Sequence, residues 1–182
     1  MNGWCEEQPA GDQGRQGIDG LPAAVLVGLV DRPDGPTILM TKRTEHLRDH
    51  AGQICFPGGR IEDDDASIEA AALREAEEEI GLAPSKVDII SRLAPYDTIT
   101  GFRIHPVVGW IEPPLTFKLD PFEVAEVFEL PLSFVLDPRN HQRQQHHRSG
   151  TKRSYYVLPY EGRFIWGATA GMLVIFANLL GR

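Results

Sequence analysis

Apolar residues recur along this chain in two rhythms. Pro22 to Val30 (PAAVLVGLV) and Thr37 to Thr41 (TILMT) are short aliphatic and β-branched runs, separated by Asp31-Arg32-Pro33-Asp34-Gly35-Pro36. Runs of that length with Asp, Pro and Gly between them predict a hairpin with a short loop. Lys86 to Leu93 (KVDIISRL) predicts a strand beyond the Pro84-Ser85 break. Arg103 to Ile111 (RIHPVVGWI) predicts another, with Pro106 marking an irregularity or an edge position. Tyr155 to Pro159 and Arg163 to Trp166 read as two more, and Cys55 lies between two core candidates, Ile54 and Phe56. The second rhythm is helical. Ala66 to Ile80 holds no Pro or Gly and is rich in Ala, Leu and Glu, which favour helix. Gly167 to Leu180 (GATAGMLVIFANLL) spaces Met172, Leu173, Phe176 and Leu180 on one helical face. It is shorter than the ~20 residues a bilayer crossing needs, so it predicts a core or homodimer-facing helix. Short strands mixed with two good helices predict an α/β fold, an α/β/α sandwich around a central mixed sheet.

The first helix is the stretch that bears on chemistry. Asp65 suits its N-cap, Asp63 and Asp64 sit where the helix dipole favours negative charge, and Gly81 suits the C-terminal cap. At ~100° per residue, Glu75, Glu78 and Glu79 fall on one side, opposite Ala66, Leu73, Ala76 and Ile80. Glu77 points elsewhere. Like charges three and four residues apart repel, more so once desolvated. A solvated acidic face is the bland explanation. The chemical one is a hard divalent cation, Mg²⁺ above all, which carboxylates hold and substrate phosphates complete.

Length and charge limit the rest. At 182 residues the chain has the size of one domain, with 42% hydrophobic and 24% charged residues. Met1 to Gly20 is polar and aperiodic and reads as a flexible tail, leaving 21–182 as the folded domain. That tail lacks the basic and apolar regions of a signal peptide, and two cysteines, Cys5 and Cys55, make no disulfide framework or zinc spacing. A cytoplasmic protein is expected. A formal net charge of −8 argues against nucleic-acid or anionic-membrane partners, though not against an anionic small-molecule substrate. Tyr96 to Gly101 predicts a polar loop, His105 a structural histidine. Asp137 to Ser154, with His141, His146 and His147 among Arg and Gln, predicts a mobile loop, since no metal-ligand spacing appears in it.

The stretch Gly58 to Leu82, GGRIEDDDASIEAAALREAEEEIGL, resembles the Nudix box, G-x5-E-x7-R-E-U-x-E-E-x-G-U with U a bulky aliphatic residue. Gly59, Arg74-Glu75, Glu78-Glu79 and Gly81-Leu82 match. Asp65 stands where the family has its first Glu, eight residues rather than seven separate it from Arg74, and Ala76 replaces the bulky aliphatic residue. The preceding segment, LMTKRTEHLRDHAGQICFPGG, is similar to the signature of the coenzyme A diphosphatase branch, through Arg43, Leu47, Arg48, His50, Gly52, Gln53, Phe56 and Pro57. Ile165 to Ala170 is similar to that branch's C-terminal part.

The resemblance implies a Nudix sandwich that hydrolyses coenzyme A or an acyl derivative with Mg²⁺ or Mn²⁺. Glu75, Glu78 and Glu79 would hold metal, Glu78 also acting in catalysis and Arg74 orienting a ligand. Arg43, Arg48, His50 and Gln53 would bind substrate, the arginines by forked contacts to phosphate. The family also draws a carboxylate from a loop outside the box. In Asp120 to Leu132 (DPFEVAEVFELPL) this is Glu123 or Glu126, which one helical turn would place on one side, and Glu123 matches better as the base. The alternatives are another Nudix substrate (ADP-ribose, NADH or a nucleoside triphosphate), a noncatalytic nucleotide-binding module, or a structural protein with a solvated acidic helix.

Overall fold

The computed structural model describes residues 20–47, 49–148 and 151–181, with backbone alone at 146–148 and 151–153. The expected tail up to Asp19, Cys5 with it, and Arg48 lie outside them.

The two apolar runs form the hairpin of β1 (Leu21–Val30) and β2 (Thr37–Arg43), paired antiparallel through Leu29↔Ile38 and Val30↔Thr37. Two short strands, β3 (Ile54–Cys55) and β4 (Gly58–Arg60), lead into α1 (Ile68–Ile80). Beyond it come β5 (Val87–Arg92), β6 (Tyr96–Asp97), β7 (Phe102–Ile111) and β8 (Val124–Pro131). A short α2 (Leu132–Leu136), the strands β9 (Gln142–Arg148), β10 (Thr151–Tyr160) and β11 (Arg163–Trp166), and α3 (Gly167–Leu180) complete the chain.

The main sheet is mixed. β1 runs parallel to β7 in register from Leu21↔Phe102 to Val30↔Ile111, while β2, β4, β5 and β8 add antiparallel pairings. Both faces are apolar, because each is covered by a helix. On β1, Ala24, Leu26 and Val30 join Ala71, Ala72, Ala76 and Ile80 of α1 in one core. Val25, Val27 and Leu29 join Met172, Leu173, Phe176 and Ala177 of α3 in the other. The α/β/α sandwich is therefore the architecture, and α3 is a core helix. Among the described residues no helix is long and apolar enough to cross a membrane.

Three local expectations are corrected. The α1 cap is Ser67, whose Oγ accepts from the Ala70 N–H at 3.1 Å, so Ala66 lies outside the helix and exposed. Asp65 has other work. Glu123 and Glu126 do not share a helical turn, because the aromatic and β-branched residues of VAEVF extend as β8 against β2. Residues 142–148 and 151–154 are not a loop: β9 pairs with β10 from Val157↔Gln142 to Thr151↔Arg148, and β11 closes a small second sheet. His141 is fixed by a 2.7 Å contact between its Nε2 and the Val135 carbonyl. Of the two expectations for Pro106, the irregularity is what the structure shows, within an interior strand. Its missing N–H falls where β5 ends and β6 begins, and its carbonyl accepts from Leu93 N–H there.

Candidate active site

Gly58 and Gly59, the first residues of β4, run close against α1, and small residues are required there. A Cβ on Gly59 would lie 2.4 Å from Glu75 Oε2, and the Gly58 N–H donates to Glu79 Oε2 at 3.1 Å. At the other end of α1, Gly81 adopts φ 69°, a left-handed cap that returns its N–H to the Glu77 carbonyl. Between these points the helix presents Glu75, Glu78 and Glu79. Asp120 and Glu123, from the turn before β8, face them across a cleft of about 340 Å³ lined by those five acids.

Two arginines organise the cleft. Arg74 donates from Nε to Asp65 Oδ1 and from Nη2 to Asp65 Oδ2, each at 3.0 Å, so the extra residue before Arg74 does not part this pair. Its Nη1 reaches Glu75 at 2.9 Å and Glu78 at 3.0 Å, and Nη2 also donates to the Arg60 carbonyl. Arg74 thus positions two of the acids. It also holds Asp65 below the usual carboxylate range, with help from the Glu62 backbone N–H. Arg43 lies between the two sides of the cleft, 3.6 Å from Glu79 and 3.8 Å from Glu123.

Burial differs sharply among the acids. Glu79 is only 4% exposed, and desolvation pushes its pKa up to about 8, against the Gly58 N–H and Arg43, which favour the anion. Burial also raises Glu75, opposed by Arg74. Glu78 stays exposed.

The remaining expected residues fall as follows. Glu126 pairs with Arg163, whose guanidinium also lies over the Phe128 ring, so of the two candidates Glu123 is the one in the cleft. His50 and Gln53 hydrogen-bond each other at 2.9 Å on the β2–β3 loop, which closes on Arg43 where its N–H donates to the Gln53 carbonyl. Neither side chain lines the cleft. Asp120 was missed. Its signal was the Asp-Pro-Phe-Glu turn, where Asp120 Oδ1 accepts from the Phe122 N–H at 2.8 Å.

An all-oxygen, carboxylate-only lining suits a hard divalent cation and not a soft one. As the side chains stand, no three His, Cys, Asp or Glu among the described residues form a ready cage. Arg74 draws Glu75 and Glu78 to itself, while Arg43 occupies the space between Glu79 and Glu123.

Residues 20–148 match the NUDIX domain. The chain belongs to the Nudix hydrolase family. Its relatives include the Nudix hydrolase NudL of Escherichia coli O1:K1, 44% identical over 167 residues, covering 92% of this chain and 86% of that protein. Among solved structures, the Nudix hydrolase RenU from M. smegmatis superposes with a TM-score of 0.60 at 19% identity, over 88% of this chain and 85% of that one. The MutT protein from Methanosarcina mazei Go1 gives 0.56 at 19% identity, over 91% and 99%. At such identities the two structures support the fold alone. Within this Nudix domain, α1 and the turn before it carry the box.

Proposed function

We propose that this Nudix hydrolase cleaves the diphosphate bond of coenzyme A or an acyl-coenzyme A, releasing adenosine 3′,5′-bisphosphate and (acyl-)4′-phosphopantetheine. The observation that carries the hydrolytic part is the approach of Glu123, from outside the box, to the α1 acids across one cleft, with Arg43 spanning both sides. The choice of coenzyme A is supported by the resemblance of the segment from Leu39 to Gly59, whose β2–β3 loop closes on Arg43 beside that cleft.

Glu75, Glu78 and Glu79 would hold one or more Mg²⁺ or Mn²⁺ ions. When bound, such an ion neutralises charge on phosphoryl oxygens and acidifies a bound water. The protein's own groups do the remainder. Glu123, partly open to solvent, accepts a proton from the attacking water. The water oxygen forms a new bond to phosphorus as the bridging P–O bond breaks, and the second phosphate departs with the bridging oxygen. Arg74 keeps Glu75 and Glu78 in place, an outer-shell role. Arg43 has a guanidinium to turn toward phosphate once its carboxylate partners are otherwise neutralised.

A substrate panel with Mg²⁺ and with Mn²⁺, products identified by mass, tests this. Coenzyme A should be cleaved to the two named products and dephospho-coenzyme A more slowly, because it lacks the ribose phosphate. Equal turnover of both, or preference for ADP-ribose, NADH or a nucleoside triphosphate, would refute the coenzyme A assignment. No metal-dependent turnover of any diphosphate would refute the hydrolytic one.

A further inference from the structure

Beside the cleft, Phe122 holds its ring out of the core at 64% exposure. A lone exposed phenylalanine is ordinary on a protein surface. This one is built in. Its N–H is held by Asp120 at 2.8 Å, and its carbonyl accepts from the Thr44 hydroxyl at 2.7 Å. The Thr44 N–H donates to the carbonyl of Glu123, the next residue, and Thr44 is itself buried. Its hydroxyl also lies 3.5 Å from His46 Nε2. His46 meets the Phe122 ring with centroids 4.9 Å apart and planes at 57°, a tilted contact that supports the ring from one side. Thr44 thus ties the backbone of Phe122 and Glu123 to the His46 ring, which in turn meets the Phe122 ring.

The position of this unit in the two chain segments gives it meaning. Phe122 lies between Asp120 and Glu123, which line the cleft, and His46 follows three residues after Arg43, which spans it. A diphosphate drawn to the cleft would carry any attached nucleoside past this rim. The carboxylates of the cleft can only accept from a base's amino groups, whereas an uncharged aromatic face can stack with the π face of any base. Resting on the diphosphate hydrolysis proposed above, we infer that Phe122, braced by His46, is the stacking platform for the nucleobase of the substrate.

Stacking one base on an aromatic ring corresponds to roughly 5- to 100-fold in affinity. The test compares binding of ADP with that of inorganic pyrophosphate, both with Mg²⁺, by calorimetry. Wild type should bind ADP tighter by a factor in that range. Phe122→Leu, which keeps apolar bulk without a π face, should erase that difference and leave pyrophosphate affinity within about twofold. Phe122→Tyr should retain the difference, and His46→Ala should reduce it. Equal binding of the two ligands by wild type, or an unchanged difference in Phe122→Leu, overturns the platform. So does equal weakening of both ligands in Phe122→Leu, which would mark a merely structural role. Failure here is separable from failure of the hydrolytic reading. Cleavage of diphosphates with no ADP preference refutes the platform alone, and a Phe122-dependent ADP preference without turnover refutes the hydrolysis alone.

Discussion

Glu79 is a carboxyl group placed where ionisation is costly. Burial, with a smaller contribution from the neighbouring Glu123 and Glu75 charges, pushes its pKa up to about 8 against the Gly58 N–H and Arg43. A buried acid is retained at such cost where it has a task in its charged form. Glu79→Gln keeps the shape and can still accept the Gly58 N–H, while losing the charge that a cation would need. Turnover with Mg²⁺ should fall roughly 100-fold or more, given that even outer-shell partners of metal sites matter 10- to 100-fold. The same variant, melted in excess chelator above pH 8, where wild-type Glu79 must ionise, should be at least as stable as wild type, since an amide has no desolvated charge to bear. Wild-type turnover in Glu79→Gln would remove Glu79 from the metal set.

At the scale of elements, those stabilised by their own local pattern were the ones legible in the sequence. The β1–β2 hairpin, β7 and α3 are apolar runs with Pro and Gly at their ends, and α3 begins and ends where its composition changes. The arc of Glu75, Glu78 and Glu79 follows from helical geometry alone. What escaped reading depends on partners distant in sequence. Asp65 and Ser67 are both good caps, and only the placement of Arg74 decides that Asp65 pairs with it while Ser67 caps. The β9 strand has no apolar alternation. It is held by β10 across residues such as Gln144, which accepts from the Tyr155 hydroxyl at 3.0 Å, and Arg143, lying over the Tyr156 ring. Arg43 reads from the sequence as a cation near the acidic helix, and only the folded cleft shows that Glu79 and Glu123 flank it. A comparable long-range tie joins the β1–β2 turn to β8: Glu129 accepts from Arg32 Nε at 2.9 Å and from the Thr37 hydroxyl at 2.6 Å. The Arg32 hydrogen bond is the main cause of a Glu129 pKa below the usual carboxylate range. An acid depressed in the folded state adds stability above its unfolded pKa, and that stability is lost as pH falls through the folded value. Glu129→Gln should therefore cost about 1 kcal/mol near neutral pH, a modest figure because both side chains keep some solvent contact. Urea titrations should show the wild-type advantage shrinking between about pH 5 and pH 3. A difference independent of pH would assign the effect to packing instead of charge.

Across the whole molecule, acidity is uneven. The chain carries a formal charge of −8, and five acids converge on one cleft whose nearby arginines, Arg43 and Arg74, are already paired with them. The folded state therefore gathers carboxylates that repulsion would separate in the unfolded chain. A divalent cation favours the folded form because only that form assembles the site. At a hundred times its dissociation constant the ion adds about 2.7 kcal/mol, and at ~2–4 °C per kcal/mol for a chain of this size Mg²⁺ should raise the melting temperature by roughly 5–10 °C. Ordinary screening would also relieve the repulsion, so the control is NaCl at matched ionic strength, which should shift melting far less. Glu79→Gln separates the two effects further. It removes one ligand and leaves the overall charge almost unaltered, so the Mg²⁺ shift should shrink while the NaCl shift persists. Equal shifts from the two salts in wild type would mean that the clustered acids respond to ionic strength alone and do not bind the ion as a set.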